Sequence, residues 1–473
     1  MQNNALRAAG RQFIFRSPRH LSGLRPTHLH RRAFIVHGSQ PALGHTTGLL
    51  RGPEGVPVSG GADPSSIAPR GPTRRARRVP PHLAGTVPAA QAPAFRPEQV
   101  FTASALSPEE RIVVQCARAL AGSDPEPPVA SVLDADPAVL VPLAWRHGML
   151  PYLSRRMATA ADAAAHPSFA PLRAAFLENG VRELHLAGEL ANVAGILEAA
   201  GVVPLAYKGP ALAIQAYGDP SLRNYGDLDL VVRRDDLAAA GAALARAGFR
   251  DVSASGAERA ALLRDGHHLE YRREAVLVEV HWRFGKALFG FADELSGLWE
   301  RAETLDIRGR RVRALSVPDH LLAFVIHASR VLWASLDATV CTVRLAARVA
   351  PDEWPEVVER ARRWRCEEVL RVSLLLGEHM LGAPYPPALA GCLPATPRAR
   401  RLAERVAAEL FLEEFGGRSY MLGQLALRPR WRDRLRFAVA ALRLAGAREG
   451  DGPRTGPAAV LARPLRVLKR YWK

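Results

Sequence analysis

The stretch Gly226-Asp227-Leu228-Asp229-Leu230-Val231-Val232 predicts a short buried strand that carries two acids at its entry. Alternate residues of a strand point to opposite faces of a sheet, so Asp227 and Asp229 share one face. Leu228 and Leu230 then face the other way, into a core. Two neighbouring carboxylates repel each other and favour a cation between them. The stretch therefore predicts a sheet-borne site for a hard divalent cation such as Mg²⁺, which takes oxygen ligands and keeps waters for phosphate oxygens.

A second motif lies about twenty residues upstream. The apolar run from Val202 to Tyr207 predicts a strand, Lys208-Gly209 predicts a turn, and Pro210 occupies the favoured first position of a helix. A helix N-terminus offers free N–H groups to a phosphate, and glycine lets the phosphate approach the backbone closely. We expect Lys208 to add a point charge there, and Arg223 to add a bidentate phosphate contact.

A third carboxylate is expected from a neighbouring strand, because paired cations that clamp a phosphoryl group usually need one. Glu279 is the best candidate, since it lies within the alternating apolar run from Val276 to Trp282. His281 shares its face, and either contacts substrate or is a satisfied structural histidine. The pair His267-His268 either lines the same cleft or belongs to a loop.

These motifs resemble an uncharacterised bacterial nucleotidyltransferase family with a KG…YxDPxLRxxGDxDLLV signature. That family belongs to the DNA polymerase β-like nucleotidyltransferase superfamily. The resemblance runs from Leu140 to Pro386. It is carried by the following segments: Tyr207–Leu212, Tyr217–Pro220, Leu222-Arg223, Gly226–Val232 and Val280-His281-Trp282. It implies that Asp227, Asp229 and Glu279 bind the metal and act in catalysis. It also implies that Gly209 occupies the position of the superfamily's glycine motif at the helix start. Pro210, Glu279 and Cys341 depart from the pattern of the relatives.

The net charge of +18 suggests nucleic acid as a partner at first, but its distribution weakens that interpretation. Residues 1–100 contain 14 Arg and only three acids, so they hold most of the excess charge. A nucleic-acid partner is therefore possible but not indicated. A nucleotide and an unknown acceptor are the expected partners, and the sequence does not fix the oligomeric state.

Four segments are predicted, and together they make an α+β fold with a small mixed sheet flanked by helices. They are a disordered Arg/Pro-rich extension over 1–100, a helical region over 101–200, a nucleotidyltransferase-like α/β core over 201–300, and a helical region over 301–473. The four widely spaced cysteines argue against a disulfide framework and a zinc site. No apolar run reaches 18 residues, so we expect no membrane span and a cytoplasmic protein.

The leading hypothesis is an enzyme that uses Mg²⁺ (or Mn²⁺) to move a nucleoside monophosphate from an NTP to an acceptor hydroxyl or phosphate. Glu279 is also expected to help deprotonate the acceptor. One alternative is a non-catalytic module that binds a nucleotide or a partner, with its metal geometry spoiled by Pro210 and Glu279. Another is an enzyme that modifies a partner protein, as in toxin–antitoxin pairs.

Overall fold

A computed structural model describes residues 106–448, apart from 161–162, 164–165, 168, 254–255, 293–294, 413–416 and 429. The first helices, in chain order, are α1 Pro108–Ala121, α2 Val129–Asp134, α3 Pro137–Arg146, α4 Leu150–Ala158 and α5 Phe169–Ala199. The α/β part comprises β1 Leu205–Tyr207, α6 Gly209–Tyr217, β2 Leu228–Val231, α7 Leu237–Arg246, β3 Arg250–Asp251, α8 Gly256–Asp265, β4 His268–Arg273, β5 Val276–His281, β6 Glu303–Ile307 and β7 Arg310–Ala314. The last helices are α9 Val317–Ser329, α10 Leu336–Ala346, α11 Trp354–Arg363, α12 Glu367–Leu381, α13 Pro397–Ala408, α14 Gly417–Ala426 and α15 Trp431–Arg448.

The strands form one seven-stranded mixed sheet in the order β3-β4-β5-β2-β1-β7-β6. Strand β2 is central, and it pairs antiparallel with β1 and parallel with β5. The mixed α+β architecture predicted from the sequence is therefore confirmed. The first helix begins at a reciprocal capping box formed by Ser107 and Glu110.

The two faces of the sheet have different chemistry. One face packs against α5 and α7 through an apolar core that includes Leu228, Leu230, Val278 and Val280. The other face carries the alternate residues of the same strands, among them Asp229, and Tyr207 on this face donates a hydrogen bond to Ala323 O of α9 at 3.1 Å. The sheet thus separates an apolar core from a polar face that α9 partly covers.

The sheet extends past residue 300, where the sequence suggested that a purely helical region begins. Strands β6 and β7 form an antiparallel hairpin, and β7 joins the sheet through one parallel pairing, Ala206 with Ala314. Arginine occupies three of the first four positions of β7, and this hairpin forms one edge of the sheet. Its strands therefore lack the apolar alternation that marked β5.

The disorder predicted for residues 1–100 lies outside the described residues, so it stays a prediction. Over the described part of the chain, no helix combines the length and the apolar character that crossing a membrane requires.

Candidate active site

The acids of β2 are brought to the polar face of the sheet. Asp229 lies within the strand and is 2% exposed, whereas Asp227 lies at its entry and is partly exposed. In the parallel pairing of β2 with β5, Asp229 is directly opposite Glu279. The predicted third carboxylate is therefore on the same face as the aspartates and in the adjacent strand.

Lys208 occupies a strained turn between β1 and α6. Its backbone has φ 54° and ψ −149°, a conformation that glycine adopts far more readily than residues with a Cβ. Its N–H donates to His320 Nε2 at 3.0 Å, and His320 Nδ1 lies 2.5 Å from Gln215 Oε1. Because Nε2 accepts, Nδ1 carries the proton. Burial lowers the pKa of His320 to about 3, so the ring stays neutral and holds this turn in place.

The side chain of Lys208 points to the acids rather than to solvent. Its Nζ lies 2.6 Å from Asp229 Oδ1 and 4.0 Å from Glu279 Oε2. Burial by itself would lower the pKa of Lys208, but the two carboxylates outweigh it and raise the pKa above its usual range. The ammonium group is therefore a fixed positive charge within the acidic cluster.

His281 bridges the same two acids. Its Nε2 lies 2.8 Å from Asp229 Oδ1 and 3.1 Å from Glu279 Oε2. Both oxygens belong to carboxylates, so Nε2 donates the proton. Burial alone would lower the pKa of His281, but these hydrogen bonds raise it. Burial opposes ionisation of Glu279 as well, yet the hydrogen bond from His281 and the charge of Lys208 hold its pKa well below the usual range.

Asp227 has the opposite electrostatic environment. Burial, followed by the charges of Asp229 and Glu279, raises the pKa of Asp227 to about 7. No side-chain cation contacts it directly among the described residues. The pair predicted from the stretch 226–232 is thus divided into a strongly neutralised Asp229 and a poorly neutralised Asp227.

The structure also brings two neighbouring histidines to the acids. His268 on β4 lies opposite His281 on β5, and its Nδ1 lies 3.2 Å from Glu279 Oε2. That contact is close but poorly aligned, so Nδ1 makes no hydrogen bond. His267 Nε2 accepts from the Arg330 guanidinium at 2.8 Å. Of the two sequence-based alternatives for His267-His268, the structure favours the cleft over a loop.

Arg223 lies at one side of the site and does not touch the carboxylates of β2 or β5. Its Nε is 3.2 Å from Asp337 Oδ2 on α10, and its guanidinium lies over the Phe324 ring. Its positive charge still lowers the pKa of Asp227, although burial and the neighbouring carboxylates raise that pKa by more. A phosphate that contacted Arg223 would have to share it with Asp337.

Gly209 begins α6 directly beside the acids. It has φ 42°, and a Cβ added there would lie 3.5 Å from the Asp227 carbonyl oxygen. The first intrahelical bond runs from Leu212 N–H to Lys208 O, so the amides of Gly209 and Ala211 precede it. Pro210 contributes no N–H. The helix start can therefore present two backbone donors to an anion.

The donor set fits a divalent cation. Asp229, Glu279 and His281 each place a ligand atom within 4.8 Å of the others. Asp229 Oδ2 is buried without a hydrogen-bond partner. A buried carboxylate oxygen without a partner is costly, and a cation ligand would remove that cost. Asp229, Glu279 and His281 are therefore the residues whose ligand atoms come together here, whereas Asp227 belongs to none of the candidate metal-binding groups among the described residues.

Two solved structures resemble part of this chain. No curated protein matches the chain. Among solved structures, the antibiotic-resistance factor ANT(2'')-Ia matches with 15% identity and a TM-score of 0.28, over 38% of this chain and 92% of its own. An antigenic nucleotidyltransferase-like protein from Paracoccidioides brasiliensis matches with 18% identity and a TM-score of 0.24, over 39% and 92%. Both scores are too low to support an inference about this chain.

The family comparison is decisive. The family described as "Uncharacterised nucleotidyltransferase" matches residues 134–382, which is more than half of the chain and includes the whole of β1, β2 and β5. The chain therefore belongs to this family of nucleotidyltransferases and is a transferase of that class.

Proposed function

We propose that this protein transfers a nucleoside monophosphate from a nucleoside triphosphate to an acceptor hydroxyl or phosphate, with Mg²⁺ or Mn²⁺ as cofactor. The acceptor oxygen bonds to the α-phosphorus, the bond to the bridging oxygen breaks, and pyrophosphate leaves. The acceptor's proton passes to solvent or a nearby base. Family membership supports the reaction class, and the residues of the polar sheet face support its details.

The observation that carries the proposal is the register of β2 and β5. It sets Asp229 opposite Glu279, within reach of the Lys208 ammonium and beside the start of α6. Acids that would hold a cation thus adjoin donors that would hold phosphates. Such preorganised charge is usually the largest contribution to catalysis.

The residues divide into two groups by role. Asp227, Asp229 and Glu279 hold the cation, which would stabilise negative charge on the phosphate oxygens when bound. Lys208, the amides of Gly209 and Ala211, and Arg223 hold the triphosphate. The lowered pKa of Glu279 keeps that side chain ionised at neutral pH, as a cation ligand must be.

The test is a screen of the four NTPs with Mg²⁺ or Mn²⁺ for pyrophosphate release, with small molecules from a cell lysate as acceptors. We expect Asp229→Asn and Glu279→Gln to lower the rate by about a hundredfold or more while the fold is retained. Asp235→Asn is the matched control, since Asp235 is an exposed acid that follows β2 and touches none of the site. Full activity in both site variants would refute the assignment.

Two observations favour a second candidate, a non-catalytic nucleotide-binding module. The Lys208 ammonium already neutralises Asp229, and Pro210 removes one donor from the helix start. Calorimetry separates the candidates. Nucleotide binding with no metal-dependent pyrophosphate release from any NTP would support the module and exclude the enzyme.

A further inference from the structure

The polar sheet face carries imidazoles as well as carboxylates. Glu279 Oε2 lies 3.1 Å from His281 Nε2 and 3.2 Å from His268 Nδ1. Around a divalent cation with bonds of about 2.0–2.2 Å, adjacent ligand atoms lie about 2.8–3.6 Å apart, from octahedral to tetrahedral geometry. The contacts to Glu279 have that spacing before any ion is bound.

We propose that His268, His281 and Glu279 bind a first-row transition cation such as Mn²⁺, Co²⁺ or Zn²⁺ in preference to Mg²⁺, with Asp229 as the adjacent fourth ligand. Imidazole nitrogen is a ligand for these ions, whereas Mg²⁺ prefers oxygen and holds its waters. That such a cation takes part in transfer rests on the proposed function, but its binding does not.

The hydrogen-bond pattern shows how each histidine can become a ligand. His281 Nε2 donates its proton to Asp229 and Glu279, and a cation that binds between these acids displaces that proton, which leaves the nitrogen with a lone pair. His268 Nδ1 faces Glu279 without forming a hydrogen bond, so a metal that binds this nitrogen displaces no hydrogen bond. Its other nitrogen, Nε2, lies 3.4 Å from Glu270 Oε1. A carboxylate behind the non-ligating nitrogen is the usual way in which a metal-binding histidine is oriented. Glu270 is therefore a positioning residue for His268.

His267 differs, because its nitrogen that carries a lone pair already accepts a hydrogen bond from a cationic side chain. Its Nε2 accepts from Arg330, which is always protonated, so Nδ1 must carry the proton of the neutral ring. Neither nitrogen of His267 offers a lone pair to a metal.

A buried, unpartnered oxygen supports the site independently of the histidines. Asp229 is 2% exposed, and its Oδ2 has no hydrogen-bond partner, while its Oδ1 contacts His281 at 2.8 Å. Lys208 is the only amine that contacts the cluster among the described residues. An incoming cation would take over the neutralisation of Asp229 from that ammonium.

The experiment uses the full chain with each metal alone. Pulsed EPR of the Mn²⁺-loaded protein without nucleotide is expected to show directly bonded nitrogen. Calorimetry is expected to give Zn²⁺ an affinity at least about tenfold above that of Mg²⁺. His268→Gln should lower the Zn²⁺ affinity by about tenfold or more and leave the Mg²⁺ affinity within about twofold. Glu270→Gln should produce a smaller loss of the same kind.

One control variant and one measurement on the unaltered protein make the outcome unambiguous. His185→Gln alters an exposed histidine on α5 and should leave both affinities unchanged. Because His281 is buried and its variants can unfold, the EPR measurement on the unaltered protein tests it without mutation. Oxygen-only coordination of Mn²⁺, or equal Zn²⁺ affinity in His268→Gln, would overturn the inference.

Failure of this inference and failure of the proposed function give different results. Mg²⁺-dependent pyrophosphate release without nitrogen coordination would leave the transferase and remove the imidazole site. Nitrogen coordination without pyrophosphate release from any NTP would leave the metal site and remove the transferase mechanism.

Discussion

Replacing Lys208 with alanine should destabilise the protein by about 3 kcal/mol in the absence of divalent cations. Lys208 is 6% exposed, and its Nζ lies 2.6 Å from the buried Asp229 carboxylate. Removing one partner of a buried ion pair costs about 3–5 kcal/mol, because the other charge remains buried. His281 still donates to the same oxygen at 2.8 Å, so we expect the lower end of that range.

A second variant isolates the strain of the turn. Lys208→Gly loses the same charge but relieves a positive-φ conformation, φ 54°, that costs a residue with a Cβ about 1–3 kcal/mol. Part of that gain is offset by the greater backbone entropy of glycine, about 0.5–1 kcal/mol. The glycine variant should therefore be more stable than the alanine variant by about 1 kcal/mol.

The assay is urea unfolding followed by tryptophan fluorescence, with a chelator present and then with Mg²⁺ added. Mg²⁺ should recover most of the stability lost in either variant, because a cation at Asp229 replaces the missing ammonium. The reasoning is wrong if the free energy of unfolding of Lys208→Ala lies within about 0.5 kcal/mol of that of the unaltered protein, since an ordinary surface substitution has an effect of that size. It is also wrong if the alanine variant is as stable as the glycine variant.

Three further changes test other parts of the site. The pKa of Asp227 is raised to about 7, so the folded state keeps a proton that the unfolded chain loses near its usual pKa of about 3.9. The free energy of unfolding of the metal-free protein should therefore fall by about 2 kcal/mol between pH 4 and 7, a value reduced to allow for the partial exposure of Asp227. Urea unfolding of Asp227→Asn at the same pH values should not show this fall. His320→Ala leaves the buried Lys208 N–H without its acceptor and should cost about 2–3 kcal/mol, measured by the same unfolding assay; an unchanged urea midpoint would mean that His320 does not support the turn. Gly209→Ala should weaken nucleotide binding in calorimetry. The control is Gly201→Ala, because Gly201 also has a positive φ but its added Cβ would have nothing within 4 Å. That variant should lose a similar amount of stability and bind nucleotide as the unaltered protein does.

The carboxylates could be placed from the sequence because strand periodicity is a local property. Period two alone put Asp227 and Asp229 on one face, and it separated Glu279 from the valines of β5. The register that sets Asp229 opposite Glu279 is not local, since β2 and β5 are separated by β3, β4 and two helices. The pattern therefore predicted that Glu279 lies on a strand, but it did not predict that this strand pairs with β2.

The pairing of His268 with His281 was not predicted, although a local signal for it existed. Strands β4 and β5 are joined by a two-residue turn, Glu274-Ala275, with Glu274 at φ 51°. A tight hairpin fixes register, so a turn at those residues sets His268 opposite His281 and Glu270 opposite Glu279. Glu-Ala is not among the favoured sequences for such a turn, and the hairpin was not recognised from its residues.

The supports of Lys208 could not have been predicted, because they come from distant parts of the chain. His320 is 112 residues away and lies on α9, within the segment predicted only as a helical region. Its pKa of about 3 follows from burial under the sheet, which no local pattern reports. The same holds for Arg223, whose partner Asp337 lies 114 residues further along. Residue type and spacing therefore locate the groups that would carry charge, whereas the groups that fix their position depend on how α9 and α10 pack beside the sheet. It follows that variants of His320 or Asp337 test the packing of the site, and variants of Asp229 or Glu279 test its chemistry.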